Sequence, residues 1–228
     1  MNVFRERFVK EYLEEIRSLL NIVEEELVTK MDILATELIK ARENKNTIFI
    51  MGNGGSASTA SHFAGDLSKG TLVEGFLRFK AIALTDNIPN MLAWANDEGY
   101  EHIFVEQLRN LMEPGDIVIG ISGSGNSENV IRAIEYANEH NAVTVGFSGF
   151  SESNKLMNAA KINIHVPSAY MQRVEDIHLL LQHLLTSLIR EEMRVMNDKI
   201  KEKDEGLFLR TERIIRRDVI GMIESNDK

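Results

Sequence analysis

The stretch MGNGGSASTASHFAGDLSKG, residues 51–70, sets His62 and Asp66 four positions apart just beyond a cluster of glycines. Both side chains can move a proton or bind a metal. On a helix an i, i+4 spacing brings them to one face, as in the helical His pairs that hold zinc in metalloproteases. A structural histidine beside a surface aspartate fits the same spacing.

The glycines in front of that pair suggest an anion. The apolar run TIFIM ends in Gly52-Asn53-Gly54-Gly55-Ser56, and a second run, DIVIGIS, ends in Ser122-Gly123-Ser124-Gly125-Asn126-Ser127. Each loop combines glycines, which let backbone approach a ligand, with hydroxyls, and each lies just before an expected helix. Unpaired N–H groups and the helix dipole at such a start favour a negative group. Tight turns and helix caps account for either loop alone; two of them at equivalent places argue for a ligand. Gly52-x-Gly54-x-x-Ala57 also fits the dinucleotide fingerprint, which expects an acidic residue about 20 positions on. Here the next strand ends near Asp86, more than 30 positions on. No G-x-x-x-x-G-K-[ST] sequence occurs either, so no nucleotide cofactor is expected.

The elements that must position these residues follow from periodicity. Val9, Tyr12, Ile16, Leu19, Leu20, Val23, Leu27, Leu34 and Leu38 recur at spacings of three and four and predict one or two long amphipathic helices over 3–40. Strands are expected at 47–51, 79–85, 116–122, 142–147 and 162–166. Helices are expected from Ser56 to about Leu67, over 88–96, 101–112, 127–140 and 151–160, and in a leucine-rich stretch from Gln172 to Met196. Alternation of this kind predicts an α/β protein of three layers, a five-stranded parallel sheet flanked by helices. In such sheets ligands bind outside the carboxyl ends of the strands, where both glycine loops fall. Residues 1–196 read as a single domain and 197–228, charged and then amphipathic, as a helical tail packing on an oligomer.

Bulk composition narrows the partners. The chain has 228 residues, 43% hydrophobic and 27% charged, with a net charge of −9 and no cysteine. That charge argues against nucleic acid as the main ligand, though not against a small phosphorylated one held by backbone N–H groups. No apolar run reaches the roughly 18–20 residues of a membrane span, and the charged N-terminus lacks the apolar core of a signal peptide. A cytoplasmic protein without membrane or nucleic-acid partners is expected.

Four blocks, GNGGSA…SHFA…DL, ALTDN…ANDEGYEHIF, GISGSGNSENVI and VPS…QRVEDIHLLLQHL, together resemble the phosphoheptose isomerases of the sugar-isomerase (SIS) domain family, in order and spacing, up to about residue 190. The SGSGNS block alone is shared by the wider SIS family. The resemblance implies a homotetramer with active sites at subunit interfaces, converting sedoheptulose 7-phosphate to a D-glycero-D-manno-heptose 7-phosphate. It implies that Ser122, Gly123, Ser124 and Ser127 hold the phosphate, and that Asn53, Gly54, Gly55, Ser56, Asn96 and Asp97 line the sugar. It further implies zinc, held by a His-x-x-x-Glu pair after the glycine loop and by a Gln and a His eight apart on the last helix. Here the corresponding residues are His62, Asp66, Glu175 and His183, so two of the four differ from the family pattern.

These departures bear on the chemistry. Ketose–aldose isomerisation needs a base that reaches two adjacent carbons and an acid at the carbonyl oxygens. Aspartate is one methylene shorter than glutamate, and a misplacement of about 1 Å can cost roughly a hundredfold in rate. Glu175, unlike a glutamine, can abstract a proton, so the base is Asp66 or Glu175, with His183 as acid or ring opener. The two carboxylates and two imidazoles also suit zinc or another divalent ion, or a site that works without metal. Glu175 and His183 lie roughly 12 Å apart along a helix, so one of them is expected to come from a neighbouring copy. The rival readings are the same chemistry on another phosphosugar and a non-catalytic phosphosugar- or partner-binding protein. His102, His140, His165 and His178 read as structural or solvent-facing, and Trp94 as core or interface. Asp86 and Asn87 read as ligand contacts or as turn residues.

Overall fold

The computed structural model describes the backbone of residues 2–226 and the side chains of residues 2–201. Five strands, β1 (Thr47–Gly52), β2 (Lys80–Ala83), β3 (Ile117–Ser122), β4 (Val143–Gly149) and β5 (Ile162–Val166), form one sheet in the order β2-β1-β3-β4-β5. Every pairing is parallel. The apolar runs of β1 and β3 are buried on both faces, as parallel sheets between helical layers require. Strand β2, at the sheet edge, is shorter than the expected 79–85: its pairing with β1 runs only from Lys80 to Ala83.

Alternate residues of β1 face opposite layers. Ile48 and Ile50 pack with α1 (Val3–Glu43), α2 (Gly55–Gly65) and α7 (Met171–Asn226). Phe49 and Met51 pack with α4 (Val105–Leu111), α5 (Glu128–Glu139) and α6 (Lys155–Ala159). The remaining helix, α3 (Ile88–Asp97), leads away from the β2 edge and contains no buried residue.

The N-terminal segment is a single helix. Asn2 caps it by accepting from the Phe4 amide at 3.0 Å, and Leu19, Val23, Leu27, Met31, Leu34 and Leu38 form its buried stripe. That stripe packs along Val174, Ile177, Leu181, Leu185, Ile189 and Met193 of α7. The expected break near residue 196 does not occur: α7 continues unbroken to Asn226. The intervening NDKIKEKDEG contains no proline, and one glycine costs a helix only about 1 kcal/mol.

On α7, His178 is buried in the core. Its Nε2 donates to the Ser148 carbonyl at 3.2 Å, and its ring meets Phe147 edge-on at 5.7 Å. Burial pushes its pKa down to about 4 and also lowers that of nearby His165. The unfolded chain protonates His178 near pH 6.5 and the folded one only near 4. Stability conferred by neutral His178 is therefore complete above about pH 6.5 and lost as pH falls towards 4. At about 1.4 kcal/mol per unit, the loss is on the order of 3 kcal/mol. Denaturant titrations between pH 7 and 4.5 at fixed protein concentration should show this slope, and His178→Leu should flatten it while lowering stability at pH 7.

Candidate active site

Between β1 and β3 the chain changes the direction in which it adds strands, so the loops that follow them diverge and leave a crevice. The register sets Gly52 beside Ile121, and the two glycine loops therefore emerge side by side. In the first, Gly54 adopts φ +55 and sits at the start of α2, a left-handed conformation that favours glycine. In the second, the Ser122 hydroxyl lies 3.0 Å from that of Ser127 and 3.5 Å from that of Ser124. Neither α2 nor α5 is capped by a side chain. Two helix starts without an N-cap side chain thus open into the crevice, although in α5 the Val130 N–H donates to Asn129 Oδ1 at 2.9 Å; helix starts of this kind attract an anion.

The loops enclose a cavity of about 210 Å³, lined by Asn53, Gly54, Gly55, Ser56, Ser122, Gly123, Ser124, Ser127, Met171 and Glu175. Its size suits a small molecule. Glu175 reaches it from the first turns of α7, and its carboxylate packs directly on Gly55: a methyl group there would lie 2.5 Å from Oε1. Asn53 is fixed by a reciprocal amide pair with Asn129, both bonds 2.9 Å, and accepts from the Tyr100 hydroxyl at 2.9 Å.

A second cluster lies further along α2 and α7. After Gly65 the helix widens into a π-helical turn, Asp66–Gly70, a local irregularity frequent at functional sites. Asp66 Oδ2 stands 3.5 Å from His62 Nε2 and 3.7 Å from His183 Nε2, and the two imidazole nitrogens are 3.4 Å apart. Tetrahedral zinc with ligands at about 2.0–2.1 Å separates its donor atoms by roughly 3.3–3.4 Å. The donor set and its spacing therefore fit a metal, with three protein ligands and a face left open. Both histidines are about half exposed, and Asp66 also lines a cleft with Lys69 and Arg190.

The structure thus gathers twelve expected residues into two places and leaves others apart. Asn53 to Ser56, Ser122 to Ser124, Ser127 and Glu175 share the cavity, while His62, Asp66 and His183 form the three-donor group. Glu175 is not among those donors. Asn96 and Asp97, expected to line the sugar, are exposed at the end of α3, where Asn96 donates to Asp97 at 2.7 Å; they do not line the cavity. Asn87 caps α3, and Asp86 accepts from the Ser61 hydroxyl on α2 at 2.5 Å, so neither lines the loop cavity. His102 contacts Arg132 and Glu106, and Trp94 packs half-buried on the second core cluster.

Three residues escaped the sequence reading: Asn129, Tyr100 and Gln182. For Gln182 a signal existed. It occupies a position within the buried stripe of α7, yet carries an amide, which donates to Asp66 Oδ2 at 3.3 Å.

Residues 11–149 match the SIS domain family. A phosphoheptose isomerase of Aliarcobacter butzleri is 35% identical over 187 residues, spanning 81% of this chain and 96% of that protein. The chain belongs to the phosphoheptose isomerases of the SIS-domain family. A phosphoheptose isomerase of Aneurinibacillus thermoaerophilus is 36% identical over 174 residues, 75% of this chain and 85% of that protein. The solved structure of a phosphoheptose isomerase from Neisseria gonorrhoeae superimposes with a TM-score of 0.75 at 31% identity, covering 83% of this chain and all of that one. The protein is accordingly an aldose–ketose isomerase by family, with the five-stranded parallel sheet expected of it.

The Gly55–Glu175 contact distinguishes packing from chemistry in this phosphoheptose isomerase. A methyl group at residue 55 meets only the far end of a flexible side chain, so the carboxylate swings aside and the fold survives. Gly55→Ala is expected to melt within a few degrees of wild type while kcat/KM falls by roughly a hundredfold, as measured by calorimetry and steady-state kinetics.

Proposed function

We propose that the protein isomerises sedoheptulose 7-phosphate to a D-glycero-D-manno-heptose 7-phosphate through an enediol. The observation that carries this reading is the single cavity onto which two uncapped helix starts, the Ser122, Ser124 and Ser127 hydroxyls and the Glu175 carboxylate converge. The hydroxyls and amides bind the phosphate, and the Asn53–Ser56 backbone lines the sugar. Glu175 is the base: it takes a proton from carbon 1 of the ketose and returns it to carbon 2. Asp66 is less suited to that task, because Gln182, His62 and His183 crowd its Oδ2 atom.

His62, Asp66 and His183 would hold zinc, which supplies a Lewis acid for the carbonyl oxygen when bound. With no ion there, His183 itself donates the proton to that oxygen. Glu175 and His183 are separated by roughly 12 Å of helix, so the acid group serving a given Glu175 comes from a neighbouring copy of the chain. Supporting a homotetramer, α3 buries none of its residues, and its Ile88 and Leu92 are more than half exposed. Asn96 and Asp97 at its end are then free to meet a sugar from across the interface. On this reading residues 1–196 are the catalytic domain and the rest of α7 an extension of it. The protein would act in the cytoplasm, and among the described residues no helix is long and apolar enough to cross a membrane.

Incubation with sedoheptulose 7-phosphate in deuterated water is expected to place deuterium on carbon 1, followed by NMR, and Glu175→Gln should abolish that exchange. Absence of exchange with tight binding retained would leave only a binding protein. Chelation is expected to slow turnover and added zinc to restore it. Mixing inactive Glu175→Gln with inactive His183→Ala subunits should recover activity, because some sites then combine an intact Glu175 with an intact His183. Failure to recover would show that each chain works alone.

A further inference from the structure

Gln182 is completely buried, although its neighbour in sequence, His183, is half exposed. It interrupts the apolar stripe that α7 presents to the core, between Leu181 and Leu185. A carboxylate offers only acceptors, so the amide nitrogen must face Asp66 Oδ2, 3.3 Å away. The amide oxygen then points into the interior and finds no partner. An unpartnered buried oxygen weakens a fold, and an apolar side chain of the same shape would avoid it. Core packing therefore does not account for a glutamine here.

We infer that Gln182 is a positioning residue that fixes the rotation of the Asp66 carboxylate. The terminal torsion of an aspartate is broad, and although the Asp66 backbone is anchored by its N–H to the His62 and Phe63 carbonyls and by the π-helical bond from Thr71 N to its own carbonyl, 3.1 Å, none of these bonds fixes the rotation of the side chain. Oδ2 is the one atom that both His62 and His183 face, and the Gln182 amide is the donor that approaches the same atom from the interior side. Hydrogen bonds to a ligating carboxylate orient it and commonly account for ten- to a hundredfold in metal affinity or activity. This role rests on the proposed use of Asp66 at the three-donor site.

Gln182→Leu and Gln182→Met remove the donor and the orphaned oxygen together. Both are expected to melt at or above the wild-type temperature. Their zinc affinity, measured by competition with a chromophoric chelator, should fall by roughly ten- to a hundredfold, and kcat should fall by a similar factor with KM within twofold of wild type. Zinc affinity and kcat unchanged within twofold in folded variants would overturn the inference. So would a drop in melting temperature that parallels the loss of activity, since Gln182 would then be structural. If the wild type binds zinc but does not turn over sedoheptulose 7-phosphate, the proposed reaction fails while the zinc measurement still decides the role of Gln182. If the wild type shows neither, and Asp66→Ala changes nothing, the inference fails too.

Discussion

The constraint on which the site depends is the reversal of strand order between β1 and β3. A right-handed crossover from β1 to β2 places α2 on one face of the sheet, and addition of β3 on the other side of β1 sends the next crossover to the opposite face. Only at that junction do the two strand-end loops diverge, and only there can two helix starts address one small cavity. The protein has a net charge of −9, so the proposed anion site does not draw on an overall positive charge. Aligned backbone amides at the two helix starts would favour the anion instead, and their orientation is set before a ligand arrives.

The second constraint is the length of α7. One helix carries Glu175 at the glycine loop, His178 and Gln182 into the core, and His183 to the three-donor group. Residues three, four and seven apart share a face, which is why the apolar stripe can alternate with functional side chains along the same rod. A rigid helix also fixes the separation of the carboxylate from the imidazole. The proposal of a site shared between copies rests on that separation, because no rotamer of Glu175 or His183 can shorten the axis. Packing of α1 along the stripe from Leu19 to Leu38 holds the rod against the sheet, and the Arg173 guanidinium, bonded to Glu15 at 2.8 Å and stacked on Tyr12, ties down its first turn beside the cavity.

Much of this was legible in the residues themselves. Buried parallel strands announce themselves as short apolar runs, and glycine and serine after such runs mark the loops that line the cavity. The i, i+4 pair of His62 and Asp66 likewise met as its spacing required. What the sequence hid depends on distance through space. Nothing in the spacing of Glu175 and Asp66 says that one sits in the loop cavity and the other in the donor group. Asn129 and Tyr100 join Asn53 only through the fold. The continuity of α7 past residue 196 was missed because a charged, polar stretch reads as a boundary, although without proline it has no physical reason to break the helix.

A crystal structure with bound sedoheptulose 7-phosphate tests the account most directly. It should show the phosphorus among the Ser122, Ser124 and Ser127 hydroxyls and the N–H groups at the start of α5. Carbon 1 should lie within reach of the Glu175 carboxylate, with a His62–Asp66–His183 group of another copy near the carbonyl oxygen. A phosphate bound elsewhere, or a sugar whose first two carbons approach no Glu175, would contradict it.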